Sequence, residues 1–270
     1  MKKEYDKDKF SPKNADSKPD YRNKGRFERD STPQPYWLYG KHPVLLAMKN
    51  PARVISEVVC SQNAHTFLEE NLGAEKLAEF KIEVTTPDKI DRIIHAGIDT
   101  VHQGLAAKVE PLPELDIETL FGAKLIIATD KITDPHNIGA ILRSAAAFGA
   151  GGMLMQEKNC PQESATIAKT SAGSLEVVPC VRVSSLWITL EKFKEEGFQI
   201  IGLAGDTEES ITQVRKDIPT VLVVGSEGKG LSDAVIKICD KVVKINISEN
   251  VESLNASVAA ALALYEISRP

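Results

Sequence analysis

KLIIATDKITDPHNIGAILRSAAAFGAGGMLMQ, residues 124–156, is the stretch that decides the fold. It opens on an apolar-rich run at 124–130 and closes on another at 151–156. Between them the apolar residues recur at helical spacing, so the stretch reads as strand, helix, strand, a unit whose two strands lie parallel. The helix, predicted over 137–149, has two unlike faces. Ile138, Ile141, Leu142, Ala145 and Phe148 make an ordinary core face. Arg143 stands on the other, and its neighbours three and four positions away are Gly139, Ala140, Ala146 and Ala147. All four are small and none is charged. A guanidinium on so bare a surface implies that something approaches it closely.

The pattern continues toward the C-terminus. FQIIGLAG (198–205), TVLVVGSE (220–227) and KVVKINI (241–247) read as further strands, with helices at 162–173, 185–196, 232–238 and 253–268. Apolar strands alternating with helices predict an α/β domain over 123–270, with a mostly parallel sheet and helices on both faces. In such sheets ligands bind beyond the carboxyl ends of the strands. Upstream, residues 36–110 read as a smaller α/β domain. A short lead-in and a helix ending at Asn50-Pro51 precede strands at 55–60, 81–85 and 105–110, with helices at 64–80 and 87–96. PLPELDIETLFG (111–122) is a proline-containing linker.

Residues 1–35 mix Lys, Asp, Asn, Ser, Pro and Arg with few aliphatics, a disordered charged tail by composition. Tyr21, Arg22, Lys24, Arg26, Phe27 and Arg29 would also suit an arm laid on RNA phosphates. Ten Lys/Arg against seven Asp/Glu make this tail +3, which leaves −8 of the overall −5 on the rest. An RNA ligand therefore needs local basic patches on an acidic body. The 42% apolar and 26% charged composition is that of a soluble globular protein. Without an apolar run of about eighteen residues no membrane span is expected. The four cysteines, Cys60, Cys160, Cys180 and Cys239, form no C-x-x-C pair and are expected to be reduced, mostly buried thiols of a cytoplasmic protein. The five histidines have no metal-ligand spacing, so no metal is expected.

Three polar clusters fall at predicted strand ends. The first is TDPHN (133–137), where Asn137 reads as the N-cap that places Arg143 on the second helical turn. The second is GSEGKGLS (225–232), in which three glycines within six residues permit positive φ or close backbone approach around Glu227. Ser232 would cap the next helix. Neither a P-loop nor a G-x-G-x-x-G fingerprint fits here. The third is SENVESLNASVAAALALYE (248–266), where Ser253, Asn255 and Ser257 crowd the start of an alanine-rich helix. Capping needs one of them; the surplus suits binding a hydroxyl or an amide.

In this order the three clusters resemble the three motifs of the SpoU/TrmH family of RNA ribose 2′-O-methyltransferases, within the SPOUT superfamily. The matching text is DPHNIGAILRSAAAFGA, VVGSEGKGLS and INI…VESLNASVAAALALYE, and the resemblance covers 124–269. A second resemblance, YGKHPVLLAM and VHQGLAAKVE within 36–110, is to the accessory RNA-binding domain of the branch that methylates a guanosine of 23S ribosomal RNA. That domain is similar to a ribosomal protein that binds kinked RNA. The resemblance implies a C-terminal trefoil knot, S-adenosyl-L-methionine as cofactor, and a homodimer paired through the knot helices. It implies Asn137, Arg143, Glu227, Ser253 and Asn255 as catalytic residues and Leu203, Gly205, Gly225, Ile245 and Leu254 as cofactor contacts. The resemblance also makes Arg143 a candidate proton acceptor. A guanidinium pKa above about 12 argues instead that Arg143 holds a phosphate and stabilises the developing alkoxide. Open alternatives are a transfer RNA ribose methyltransferase, a non-catalytic RNA-binding ribosome assembly factor, and a non-RNA nucleotide enzyme on a flavodoxin-like sheet.

Overall fold

Two sheets carry the chain in this computed structural model, which describes residues 34–95, 97 and 100–269. The charged tail expected over 1–35 lies, apart from residues 34 and 35, outside the described residues.

The first sheet has strands β1 (Tyr36–Tyr39), β2 (Ile55–Cys60), β3 (Ile82–Val84) and β4 (Leu105–Val109) in the order β1-β4-β2-β3. β4 runs antiparallel to β1 and β2, and β3 parallel to β2. Its helices are α1 (Lys41–Lys49), α2 (Gln62–Leu72), α3 (Ala74–Leu77) and α4 (Pro87–Ile93). The aromatic lead-in YWLY is thus an edge strand. The single helix expected over 64–80 is broken, because Gly73 at φ 81° ends α2 and begins α3.

The second sheet holds six strands, all parallel: β5 (Leu125–Asp130), β6 (Gly152–Gln156), β7 (Cys180–Val183), β8 (Gln199–Leu203), β9 (Thr220–Gly225) and β10 (Lys241–Val243). Their order is β10-β8-β9-β5-β6-β7. β7 has no counterpart in the sequence reading; four residues after Pro179 are too few to show a period. Along β5 the side chains alternate between two cores. Leu125 and Ile127 pack with α5 (Pro135–Ala147), α6 (Ala165–Thr170) and α9 (Ala256–Ser268). Ile126 and Ala128 pack with α7 (Leu186–Glu195) and α8 (Asp233–Ile238). Burial on both faces explains why the strands read as unbroken apolar runs. Successive strands leave β5 in one direction through β6 and β7, then return on its other side. The order therefore reverses between β5 and β9, where Asp130 pairs with Gly225, and a crevice opens beyond those two strand ends.

Helix α5 begins earlier than its sequence suggests. Asp134, not Asn137, is the N-cap: its side chain accepts from the His136 N–H at 2.9 Å, and Pro135 fills the first helical position. Asn137 sits within the first turn, so its amide is free for other partners. The bare surface around Arg143 is partly filled by the chain itself. A Cβ on Gly139 would fall 2.6 Å from Thr170 Cβ and 2.9 Å from the Ile167 carbonyl oxygen, so α6 crosses α5 in backbone contact. Arg143 and Ala147 remain exposed. Among the described residues no helix is long and apolar enough to cross a membrane.

The crossing at Gly139 leaves no room for a branched side chain. Gly139→Val should destabilise the protein by roughly 1–3 kcal/mol, seen as a lower denaturant midpoint with an unchanged slope.

Candidate functional site

At the reversal point the strand ends are built from glycine because two backbones meet there. A Cβ on Gly225 would lie 2.2 Å from the Gly230 carbonyl carbon and 2.5 Å from the Leu231 nitrogen. Beyond it the chain turns back at once: Gly230 donates its N–H to the Ser226 carbonyl at 2.9 Å, and Gly228 and Gly230 take φ of 78° and 62°. This turn projects Glu227. Its exit is held by Asp130, buried at the end of β5, whose Oδ2 accepts the Ser232 N–H at 2.6 Å. Ser232 occupies the N-cap position of α8, yet its side chain makes no capping bond. Asp130 gives no functional signal in the sequence, where it looks like the last residue of an apolar strand.

Three of the expected catalytic residues, far apart in the chain, form one network. Glu227 Oε1 accepts from Asn137 Nδ2 at 3.0 Å, from Asn255 Nδ2, and from the Ala256 N–H at 3.3 Å. Asn255 Nδ2 also donates to Asn137 Oδ1 at 3.0 Å. The other end of Asn255 is the N-cap of α9: its Oδ1 accepts from the Ser257 and Val258 N–H groups and from the Ser257 hydroxyl at 2.6 Å. Asn255 is thereby fully engaged, with one end capping α9 and the other holding the network. Glu227 Oε2 has no hydrogen-bond partner among the described residues.

Beside the network lies a cavity of about 550 Å³. Leu203 and Gly205 line it from the end of β8, Gly225 from the end of β9, and Ile245 and Leu254 from the segment after β10. Glu227 and Ser253 stand on its wall, with Asp206 and Glu252 adding negative charge. The volume falls within the roughly 300–1,000 Å³ of ligand pockets, and walls of aliphatic side chain and glycine backbone suit a flat base with a polar remainder. Asn137, Asn255 and Arg143 are not among its lining residues. Arg143 is exposed and makes no hydrogen bond or ion pair with any described residue. Ser253 is likewise exposed and without such a bond. The structure thus joins Asn137, Glu227 and Asn255 directly, sets Ser253 on the cavity wall, and leaves Arg143 outside both groupings.

Thiolate chemistry is disfavoured. Burial pushes the Cys60 and Cys160 thiols up to about 11 and those of Cys180 and Cys239 up to about 12. Among the described residues no group of three or more His, Cys, Asp or Glu is placed to hold a metal ion.

Comparison with known proteins places this chain among methyltransferases. The sequence model described as the SpoU rRNA Methylase family matches residues 124–265, and that for RNA 2′-O ribose methyltransferase substrate binding matches 37–115. A tRNA/rRNA methyltransferase of Synechocystis, itself uncharacterised, is 37% identical over 86% of this chain, which spans 62% of that longer protein. The 23S rRNA (guanosine-2′-O-)-methyltransferase RlmB of Pseudomonas aeruginosa is 34% identical over 86% of this chain and 95% of its own. Among solved structures, the SpoU methyltransferase AviRb of Streptomyces viridochromogenes in complex with AdoMet superimposes with a TM-score of 0.71 at 26% identity, covering 87% of this chain and 89% of that one.

Asn255 and Ser253 are two residues apart but differ in what they hold. Asn255→Ala removes a helix cap and should cost about 1 kcal/mol or more, whereas Ser253→Ala should stay within about 0.5 kcal/mol of the parent in urea unfolding.

Proposed function

The chain belongs to the SpoU rRNA methylase family, and from that premise we propose that it transfers a methyl group from S-adenosyl-L-methionine to the 2′-hydroxyl of a guanosine ribose in 23S ribosomal RNA. One observation carries the reading. The cavity walled by Leu203, Gly205, Gly225, Ile245 and Leu254 lies beside a network that draws Asn137, Glu227 and Asn255 together from three separate motifs. The choice of 23S ribosomal RNA is supported by the likeness to RlmB along nearly its whole length and by the substrate-binding match at 37–115.

The residues present fit such a cofactor. Aliphatic side chains and the Gly225 backbone offer a slot for a base, while Asp206, Glu252 and Ser253 offer partners for a cation and hydroxyls. S-adenosyl-L-methionine, when bound, supplies a methyl group already activated on a sulfonium. What remains for the protein is to hold the two reacting groups in line and to stabilise the oxygen as it becomes nucleophilic. Arg143, with five donors and no partner among the described residues, holds the phosphate next to the target ribose and stabilises its developing alkoxide. Glu227 keeps one oxygen for the substrate, the other being fixed by three donors. Asn137 has one amide hydrogen left to orient the ribose. Asn255 acts by holding Glu227 and Asn137, since its own groups are engaged. Ser253 places polar groups of the cofactor.

The proposal includes the trefoil knot that the sequence resemblance implies, and pairing of two copies through its helices. Pairing is supported by the outer face of α9, where Val258, Leu262 and Tyr265 are 44–51% exposed at the spacing of one helical stripe. Leu262→Glu should convert a dimer into a monomer in light scattering; a wild-type chain that is monomeric at micromolar concentration would remove this part.

Arg143→Ala should lower methyl transfer by roughly 10²–10³-fold while cofactor affinity, read by calorimetry, stays within about twofold. The assay supplies labelled S-adenosyl-L-methionine with unmodified ribosomal and transfer RNA and maps the blocked ribose. Label appearing only in transfer RNA would overturn the substrate assignment.

A further inference from the structure

Arg53 lies in none of the motifs above. It follows α1 in the turn NPARV (50–54), and its side chain is 0% exposed. A buried guanidinium needs its donors met and its charge balanced. Its partners come from separate parts of the chain. Nη1 donates to the Glu110 carbonyl at 2.7 Å and to Glu163 Oε1 at 2.5 Å. Nε and Nη2 fork onto Glu176, the shortest contact being 2.6 Å. Around this centre Tyr36 Oη donates to Glu163 Oε1 at 2.8 Å, the Leu112 N–H to Glu163 Oε2 at 3.0 Å, and Asn50 Nδ2 to Glu176 Oε2 at 2.9 Å. Burial, with the charge of Glu163, holds the Tyr36 phenol well above its ordinary pKa and so keeps it a donor. Burial would weaken the charge on Arg53, but its bonds to Glu176 and the charge of Glu163 more than offset this.

The two glutamates bracket α6. On one side α6 lies in backbone contact with α5 at Gly139. On the other, Lys169 Nζ sits 5.2 Å over the Tyr39 ring. Just beyond α6, Gly173 at φ 93° meets α1 so closely that a Cβ there would fall 2.5 Å from Leu46 Cδ1. Residues 163–176 are therefore a wedge between the four-stranded half and the helix that carries Asn137 and Arg143.

We infer that Arg53 is a positioning residue for RNA methylation: its ion cluster fixes the angle between the four-stranded half and α5, so that RNA held by the one reaches the residues of the other in register. The inference rests on reading 36–110 as the RNA-binding half. An apolar joint of equal area tolerates sliding, whereas a planar guanidinium held between the buried Glu176 and the partly buried Glu163 accepts one geometry. There is room for the joint to slip if it is broken. A cavity of about 230 Å³, walled by Leu112, Ile138, Leu142 and Leu175 on its apolar side and by Glu163 and Glu176 of the cluster itself, lies behind α5.

The test uses the full chain with Arg53→Met, which keeps bulk but loses charge, Arg53→Lys, which keeps charge but loses the fork, and Glu163→Gln, which keeps shape. Small-angle scattering reports the arrangement of the two halves without reference to the reaction. Arg53→Met should broaden the scattering envelope and slow single-turnover methylation of bound ribosomal RNA by roughly 10²-fold, with cofactor affinity within about twofold of the parent. Arg53→Lys and Glu163→Gln should fall between parent and Arg53→Met in both readouts. Unchanged scattering and unchanged single-turnover rate per cofactor-binding molecule, in whichever of the three variants remain folded, would overturn the inference. Failure of the proposed function looks different: the parent methylates no ribosomal RNA while the scattering change in Arg53→Met persists.

Discussion

One carboxylate oxygen, Oε1 of Glu227, receives N–H groups from the helix that follows β5 and from the helix that follows β10. Those helices begin 121 residues apart in the chain, at Pro135 and Ala256, and no single sequence segment sets their distance. Glu227 can stand between them only because the turn that bears it doubles back in five residues, from Ser226 to Gly230. That turn in turn requires Gly225, whose missing side chain lets β9 end against its own return path. The cavity beside it inherits its shape from the same constraint, since Gly225 and Glu227 are part of its wall. A glycine contact, a carboxylate and an asparagine cap are thus successive steps of one arrangement.

The sheet order explains why these pieces meet at one edge. In an all-parallel sheet every carboxyl end points the same way, and the reversal between β5 and β9 sends their connections to opposite faces. Asp130 and Gly225 are paired residues at that point. Asp130 reaches across to hold Ser232, so the exit of the glycine turn is tied to the neighbouring strand as firmly as its start. Burial of Asp130 gives that bond a low-dielectric setting, where an unpaired carboxylate would be costly.

Much of this was legible in the sequence, and what was missed follows a physical pattern. Long apolar runs such as 124–130 and 220–225 announced buried parallel strands because both faces demand apolar residues. The three polar clusters were legible because polar residues beside glycine at strand ends have few structural uses. β7 was not legible: at four residues it is shorter than any period that could mark it. The cap of α5 was misplaced by three residues because Asp134 and Asn137 are equally good caps by type, and only Pro135 between them, which favours the first helical position, separates the two. The small residues around Arg143 suggest open space, whereas at Gly139 that space belongs to α6. Arg53 left no signal at all. An isolated arginine after a helix looks like a solvated residue, and its partners at 110, 163 and 176 are brought to it only by the tertiary fold.

Polar interactions of two kinds divide the molecule's mechanical tasks. Glu227 and Asn255 are exposed, so water can replace each bond they lose, and a typical bond of this kind is worth only about 0.5–1.5 kcal/mol net. Such a network can open and re-form at little cost. The cluster at Arg53 is buried, and removing one partner from a buried ion pair costs roughly 3–5 kcal/mol because the other is left uncompensated. It has no cheap intermediate state. The protein therefore yields more easily at the strand-end network than at the joint around Arg53. For a reaction whose methyl donor arrives already activated, holding is the larger part of catalysis, and in this chain the residues that hold most firmly lie outside the site they serve.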